Sequence, residues 1–341
     1  MKSTGLFRVC ASAVLLLMFV TLPAVAAQKS APLTVNWYHG AAFLRPVIDA
    51  FTAQSGIEVS VIDAYDTFDT DVILVSDYKS LTEAKKLNHF EPIRSPDLDA
   101  VVPARWRDRD GCWYGVMLRA RAVIYNKAQV KPGEIKSYRD LADPKWRGKI
   151  ALRSASNVYN RSLLASMIVH DGQAAALEWA RAVRTNAGDH PEYSGDTDNI
   201  WRVAKGEAAL SFVNTYYIGY QMAKGVERER GIKLADTLGV AWLDQDGAGQ
   251  HVNVTGVGIK AGTPRKEQAM SLVRFLLSKQ GQALLSQHVF KYPVRADVEP
   301  SPLLKSFGDF RRDELNLNDL ELHYDQADGI FRAVGWGAWG T

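Results

Sequence analysis

Residues 33–62, LTVNWYHGAAFLRPVIDAFTAQSGIEVSVI, alternate between two kinds of local structure. Residues 33–37 favour a strand, whereas residues 42–54 have the apolar spacing of a helix that ends before Gly56. Residues 58–62 favour a second strand. Strand, helix and strand in succession predict an α/β fold in which helices cover a mostly parallel sheet.

The alternation continues along the chain in two series. Residues 71–75 favour a strand and residues 78–87 a helix. After an extended run at residues 116–125, a second series begins with a strand at residues 149–153 and a helix that closes at Gly172. The apolar stripe of that helix is Leu163, Leu164, Met167 and Ile168. Because a chain of 341 residues usually divides, we expect two lobes around a cleft.

The first 26 residues have the features of a signal peptide. Lys2 and Arg8 give a positive start, residues 11–20 form an apolar run too short to span a bilayer, and residues 24–26 provide a small-residue cleavage site. We therefore expect export, with residues 1–26 removed. Cys10 leaves with this segment, so Cys112 remains alone and we expect no internal disulfide.

The charge balance argues against two classes of partner. The formal net charge is +3 at pH 7, and removal of Lys2 and Arg8 lowers it to +1. A chain so close to neutrality favours neither nucleic acid nor an anionic membrane as a partner. No later segment is long and apolar enough to cross a membrane, so we expect no membrane insertion after signal removal.

Tyrosines follow three of the predicted strands. Tyr38 and His39 come directly after the first strand, Tyr159 lies after the strand at residues 149–153, and Tyr216 and Tyr217 follow the strand-like run at residues 207–213. Open α/β sheets bind ligands beyond the carboxyl ends of their strands, where the first turns of helices meet. These tyrosines are therefore candidates for one shared cleft.

The pair Tyr216-Tyr217 is informative because of its place between a predicted strand and a predicted helix that ends near Gly225. Neighbouring side chains point to opposite faces of a strand and diverge by about 100° in a helix, so two adjacent phenols meet one ligand only near such a turn. Hard cations favour anionic oxygen, and a bound cation deprotonates a coordinating group. Three phenolates would neutralise Fe(III), which makes a ferric site our hypothesis.

Several motifs quoted together resemble the periplasmic ferric-ion-binding proteins of bacterial ABC importers. They are residues 118–127 (LRARAVIYNK), 141–148 (LADPKWRG), 153–160 (RSASNVYN), 213–217 (VNTYY) and 251–256 (HVNVTG). The resemblance covers nearly the whole mature chain. It implies a two-lobed type II periplasmic binding fold that closes over Fe(III), a periplasmic location, no enzymatic activity, an inner-membrane ABC permease as partner and a monomeric state.

The resemblance also implies roles for particular residues. It assigns the iron to Tyr159, Tyr216 and Tyr217, with Tyr38 and His39 as further candidates from the first lobe. A synergistic anion such as carbonate or phosphate is implied at Ser156, Asn157 and Asn214. We expect the second-lobe tyrosines to dominate binding while the first lobe mainly closes over them.

The same resemblance divides the chain into parts. Residues 32–118 with 253–292 make the first lobe, residues 119–252 make the second lobe, and residues 293–341 form C-terminal helices that pack on the lobes.

Two alternatives and two minor interpretations stay open at this stage. The scaffold also suits a small anion or a phosphorylated metabolite, and an exported tyrosinate-iron enzyme would need an open coordination position with an acid or base nearby. Arg119 and Arg121 either reach an anion or pair with carboxylates. We interpret Asp196 and Asp198 as acidic residues of a helix start.

Overall fold

The computed structural model describes Met1 and residues 31–38, 40–64, 68–188 and 195–337. The expected signal peptide beyond Met1 and the candidate His39 lie outside these residues. Pro32–Thr341 forms one compact unit, which is the unit described below. In the described part of the chain, no helix is both long and apolar enough to cross a membrane.

Among the described residues the sheet has ten strands: β1 (Leu33–Asn36), β2 (Val59–Ile62), β3 (Val72–Val75), β4 (Phe90–Glu91), β5 (Tyr114–Asn126), β6 (Ile150–Ala151), β7 (Leu210–Asn214), β8 (Leu238–Ala241), β9 (Val252–Lys260) and β10 (Tyr292–Pro293).

The α-helices are α1 (Ala41–Ser55), α2 (Tyr78–Lys86), α3 (Pro96–Val101), α4 (Val158–Asp171), α5 (Gln173–Ala187), α6 (Asp196–Ala204), α7 (Tyr216–Ala223), α8 (Val226–Arg230), α9 (Leu234–Thr237), α10 (Lys266–Leu276), α11 (Lys279–Val289), α12 (Pro302–Lys305) and α13 (Tyr324–Ala333). Short 3₁₀ turns lie at Ala104–Trp106, Arg139–Ala142, Pro144–Trp146, Leu317–Asp319 and Glu321–His323.

The long strand β5 joins two halves of the sheet, whose order is β2-β1-β3-β9-β5-β7-β6. Residues 114–120 of β5 pair with β9, residues 121–125 pair with β7, and residues 123–126 pair with β8. The first half contains β1 to β4, β9 and β10 with helices α1, α2, α10 and α11 against it. The second half contains β6, β7 and β8 with helices α4 to α7.

The prediction of a mostly parallel sheet is wrong. In the described part of the chain, the parallel pairs are β1–β2, β1–β3 and β6–β7, and the pairs made by β5 and β9 are antiparallel. The strand β5 leads the chain into the second half and β9 follows its return to the first, and each runs antiparallel to its neighbours among the described strands. Periodicity in a sequence reports which residues are extended, but it carries no information on strand direction.

Most predicted elements are found within a few residues of their expected bounds. The helix expected at residues 42–54 is α1, and Gly56 ends it in a left-handed conformation with φ 71°. The helix expected to close at Gly172 begins earlier, at Val158, because the side chain of Asn157 accepts a hydrogen bond from the Tyr159 amide. The lobe boundaries, at residues 118/119 and 252/253, fall within β5 and at the start of β9 and stay a prediction.

Candidate metal centre

Four tyrosines from three separate segments gather between the two halves. Tyr38 follows β1, Tyr159 lies in the first turn of α4, and Tyr216 and Tyr217 open α7 directly after β7. The Tyr38 Oη lies 3.3 Å from the Tyr159 Oη, and the Tyr216 hydroxyl donates to the Tyr159 Oη at 3.2 Å. The Tyr217 ring stacks on the Tyr216 ring at 4.3 Å between centroids. The candidates Tyr38, Tyr159, Tyr216 and Tyr217 are thus brought together.

The backbone explains why the adjacent rings share one region. The strand β7 ends at Asn214 and α7 begins at Tyr216, with Thr215 already in a helical conformation. The two side chains therefore leave the backbone at a helical rather than a strand angle, and their rings stack on each other with 29° between planes. Because Asn157 caps α4, the start of that helix and with it Tyr159 are held in place.

The spacing of the hydroxyls suits one small cation. Oxygen ligands at about 2.0–2.1 Å in an octahedral sphere lie about 2.8–3.0 Å apart. The observed Oη separations of 3.2 and 3.3 Å are only slightly wider. Within the described residues, no group of three or more His, Cys, Asp and Glu side chains is placed to hold a metal ion.

Burial makes the free phenols hard to ionise. Desolvation is the largest effect, and it raises the pKa of Tyr38, Tyr159, Tyr216 and Tyr217 above the ordinary value of a phenol. Each hydroxyl therefore keeps its proton at neutral pH until a strong positive charge arrives. Loading of a cation must then release protons.

A buried ion pair lies directly behind Tyr159. The Arg119 guanidinium in β5 donates to the Asp77 carboxylate at the start of α2 and to the carbonyl of Ser76, and it also reaches the Val254 carbonyl at 3.0 Å. The same guanidinium lies 4.6 Å from the centroid of the Tyr159 ring. The ion pair thus ties the first half of the sheet to a tyrosine of the second half.

A second buried network surrounds Asp196 at the start of α6. Its two carboxylate oxygens accept hydrogen bonds from the guanidinium groups of Arg121 at 2.9 Å and Arg153 at 3.1 Å. The backbone N–H of Asn214 also donates to this carboxylate, at 2.8 Å. Burial opposes ionisation, yet Arg121 and Arg153 hold the pKa of Asp196 below its usual value. The prediction that Asp196 and Asp198 are acidic first-turn residues of a helix is confirmed, and Asp196 is in addition a buried carboxylate that pairs with two arginines.

These contacts show whether Arg119 and Arg121 of β5 reach an anion or pair with carboxylates. Both Arg119 and Arg121 pair with buried carboxylates, and Arg121 also donates to the Asn160 side chain at 2.7 and 3.0 Å. Arg153, in contrast, lines a cavity beside the phenols. Its Nε has no hydrogen-bond partner among the described residues, and its guanidinium lies 5.0 Å from the Tyr159 ring centroid.

A cavity of about 240 Å³ opens beside the phenols. Its lining includes Tyr38 and Tyr159 together with Ser76, Arg153 and Asn157. Charge counting shows why an anion suits this space. Arg119 balances Asp77, whereas Arg121 and Arg153 together face the single carboxylate of Asp196. Counted over these three arginines and two aspartates, one positive charge is in excess, and the cavity wall itself carries Arg153 and Asp77.

The three residues expected at an anion differ in their surroundings. Asn157 borders the cavity, although its side-chain oxygen is used to cap α4. Ser156 is exposed and its hydroxyl lies 3.0 Å from that of Ser154, so it is not a helix cap. Asn214 is buried, and its side-chain nitrogen has no partner among the described residues.

Sequence reasoning missed three charged groups near the phenols. They are Asp77, Arg153 and Lys291, and only Arg153 stood in a quoted motif. The Lys291 ammonium is buried, donates to Thr255 Oγ1 at 2.8 Å, and lies 4.8 Å from the Tyr216 ring centroid and 5.0 Å from that of Trp37. Burial together with the nearby Arg119 charge lowers the pKa of Lys291 well below its ordinary value. No local pattern marks a lysine that reaches the site from a distant segment.

Comparisons with known proteins identify the family of the chain. A family described as bacterial extracellular solute-binding proteins matches residues 70–308. Iron uptake protein A1 of Synechocystis is 38% identical over 298 residues, covering 84% of this chain and 82% of the relative. The Fe(3+)-binding periplasmic protein of Serratia marcescens is 25% identical, covering 80% of this chain and 82% of the relative.

A solved Trichodesmium protein in complex with iron and citrate has the same architecture, with a TM-score of 0.82 and 31% identity over 90% of this chain and all of that one. A curled sheet whose halves are joined by long strands, with a site between them, is the two-lobed type II binding-protein fold. The chain belongs to the bacterial extracellular solute-binding protein family. The halves described above are accordingly called the first and second lobes.

Proposed function

We propose that this protein captures Fe(III) in the periplasm and delivers it to an inner-membrane ABC permease. The observation that carries the proposal is the convergence of phenol oxygens from both lobes, with Tyr159 Oη 3.3 Å from Tyr38 Oη and 3.2 Å from Tyr216 Oη. Hard trivalent iron matches anionic oxygen ligands. Relatives named for iron uptake and for periplasmic Fe(3+) binding support the same substrate, location and non-catalytic role.

The ligand set of the proposal is Tyr159, Tyr216 and Tyr217 from the second lobe and Tyr38 from the first. His39 stays a candidate that lies outside the described residues. Three phenolates neutralise Fe(III), and a fourth would leave one negative charge that the excess positive charge of Arg121 and Arg153 against Asp196 offsets. The protein works as a monomer in this proposal, since both lobes of one chain supply the ligands.

A small anion completes the proposed site. Arg153 has an unpartnered Nε at the cavity wall among the described residues, and Asn157 borders the same space. Carbonate, phosphate or a carboxylate fits a guanidinium and a helix start, because both present N–H donors to negative oxygen. Asn214 and Ser156 remain in the proposal as additional donors. The solved relative that holds iron with citrate supports an oxygen-rich companion ligand.

Metal content and the visible spectrum of the purified mature protein test the proposal. We expect one Fe(III) per chain and a visible iron–phenolate charge-transfer band, because a phenolate bound to ferric iron donates electron density to it. Titration with carbonate, phosphate and citrate then identifies the companion anion by its effect on the band. A colourless protein that binds phosphate or a sugar phosphate without iron would favour the anion-binding alternative instead.

A further inference from the structure

A second contact between the lobes lies next to the phenol cluster. The ring of Phe43 in α1 stacks on Tyr220 in α7 at 4.3 Å between centroids and 28° between planes. Phe290, which ends α11, meets Phe43 edge-on at 6.0 Å and Tyr220 edge-on at 5.7 Å. These three residues, named here the interlobe aromatic cluster, join two first-lobe helices to one second-lobe helix. Stacked and edge-on pairs of this kind are attractive beyond their area burial.

Gly219 permits this close approach. A Cβ built on Gly219 would lie 2.5 Å from Phe290 Cγ and 2.7 Å from Phe290 Cβ, so a side chain at this position would push α7 and the Phe290 segment apart. Glycine inside a helix is otherwise unfavourable. The helix α7 thus has glycine, a residue that disfavours the helical conformation, at the point where it contacts the first lobe.

The backbone of Phe290 is itself strained. Its φ of 57° and ψ of 32° are left-handed, a conformation that bulky residues rarely adopt. Such strain persists only where the surrounding contacts impose it, and it is concentrated at functional positions. The left-handed backbone of Phe290 places its ring against Gly219. The next residue is Lys291, whose ammonium lies against the face of the Tyr216 ring.

The interlobe aromatic cluster contacts the candidate iron ligands and shares helices with them. Tyr220 lies one helical turn after Tyr216 in α7 and contacts its ring at 5.4 Å, and it contacts the Tyr217 ring at 6.4 Å. Phe43 lies in α1, the helix that begins shortly after Tyr38. The segments that bring phenols from the two lobes together therefore also carry the rings that hold the lobes together.

We propose that the interlobe aromatic cluster is a closure contact that sets how long iron is retained, without touching the metal. The reason is linkage: a ligand that needs the closed state is bound more weakly when that state is less populated. Loss of the cluster then raises the rate of iron dissociation while the coordination sphere is unchanged. This inference rests on the proposed iron site.

The first experiment compares two glycine substitutions in helices. Gly219→Ala places a methyl group against Phe290, whereas Gly329→Ala in α13 adds a methyl group with nothing within 4 Å. We expect Gly219→Ala to raise the dissociation rate of iron, measured by transfer to a competing chelator, by about tenfold or more. Gly329→Ala should leave the rate within about twofold, since it adds only helix propensity.

The second experiment removes the stacking ring at a partly exposed position, where the fold tolerates truncation. Phe43→Ala should increase the dissociation rate as Gly219→Ala does, and Phe43→Tyr, which keeps the ring, should restore the parent rate. The charge-transfer band of each iron-loaded variant should match that of the parent. An unchanged rate in both Gly219→Ala and Phe43→Ala would overturn the proposal, as would a shifted band, which would mean altered coordination.

Small-angle scattering of the iron-free proteins separates this inference from the iron assignment. We expect the radius of gyration of Gly219→Ala and Phe43→Ala to exceed that of the parent and of Gly329→Ala, because an open two-lobed protein is larger. If the parent binds no iron, the proposed function fails while the scattering result still decides the closure contact. Equal radii for the parent and both cluster variants would contradict it.

Discussion

The hydroxyl of Tyr159 is the centre of the candidate site. It contacts the hydroxyls of Tyr38 and Tyr216, and its ring lies against the guanidinium groups of Arg119 and Arg153. These cations lower the energy of a nearby phenolate, whereas burial raises it. The phenol therefore stays neutral in the free protein and ionises when a trivalent cation supplies the remaining stabilisation.

Single oxygen deletions at the tyrosine pair test the ligand assignment. We expect Tyr216→Phe and Tyr217→Phe each to weaken iron binding by more than about a hundredfold, since loss of a ligand exceeds the 10–100-fold effect of an outer partner. Phenylalanine keeps the packing of the ring and removes only the oxygen. Competition against a chelator measures the change, and Tyr125→Phe in β5, away from the phenol cluster, is the matched control. Variants that bind iron like the parent would make the pair ordinary core residues.

The first-lobe candidates should matter less than the tyrosine pair. We expect Tyr38→Phe and His39→Ala each to weaken iron binding by about tenfold, or roughly 1.4 kcal/mol, because three second-lobe phenols still hold the metal. The same chelator competition measures these losses beside Tyr217→Phe. A loss at His39 as large as that at Tyr217 would place the imidazole in the coordination sphere.

Among the secondary-structure elements, α6 has a structural role that its length does not suggest. Its first residue, Asp196, accepts hydrogen bonds from Arg121 in β5, from Arg153 just after β6, and from the backbone N–H of Asn214 at the end of β7. One carboxylate thereby fixes the middle of β5 and the ends of β6 and β7 relative to one another. Both the Tyr216-Tyr217 turn after β7 and the cavity wall at Arg153 depend on it.

Replacement of this carboxylate should be strongly destabilising. We expect Asp196→Asn to lower the free energy of unfolding by about 3–5 kcal/mol, because it leaves the buried charges of Arg121 and Arg153 without a counter-ion. Asp198→Asn, at an exposed position of the same helix turn, should change it by less than about 0.5 kcal/mol. Denaturant unfolding of the iron-free proteins gives both values.

The stability difference between Asp196→Asn and the parent should decrease as the pH is lowered. The pKa of Asp196 is lowered in the folded state, so its contribution is present above the pKa of an unfolded carboxyl group and is lost as the pH falls through the folded value. The deficit of Asp196→Asn should therefore be largest near neutral pH and shrink on acidification. A variant as stable as the parent at pH 7 would show that the network contributes nothing net.

At the scale of the whole molecule, the proposed site couples iron binding to proton release and to closure of the lobes. The four phenols hold their protons in the free state because burial raises their pKa values. In the proposed site, iron displaces those protons as the lobes close around it. Acidification therefore opposes loading, and alkalinity favours it until the free protein loses stability above about pH 10, where unfolded phenols ionise first.

Iron retention should fall steeply with pH. We expect the apparent affinity to decrease as the pH is lowered from 7 to about 4.5, because each bound phenolate competes with a proton. Chelator competition at a series of pH values measures the number of protons released per iron. An affinity constant over this range would indicate ligands that are already ionised, such as carboxylates, and would contradict the tyrosine assignment.

Much of the local structure was predictable because it depends on neighbours along the chain. The helix α1 with its left-handed Gly56, the cap of α4 at Asn157, and the strand-to-helix turn at Tyr216 all follow from residue type and spacing. Strand direction was not predictable, and the sheet is mixed rather than mostly parallel. Pairing partners are chosen by contacts between segments far apart in sequence.

The chain by itself determined the α/β character, the tyrosines at strand ends and the family motifs, because these depend on composition and short-range order. Only the tertiary structure decided that the Tyr38 hydroxyl meets that of Tyr159, that Asp77 and Asp196 neutralise arginines of β5, and that Lys291 lies under Tyr216. Burial of charge is tolerated only where partners from several elements converge. That convergence is a property of the folded sheet and of no single segment.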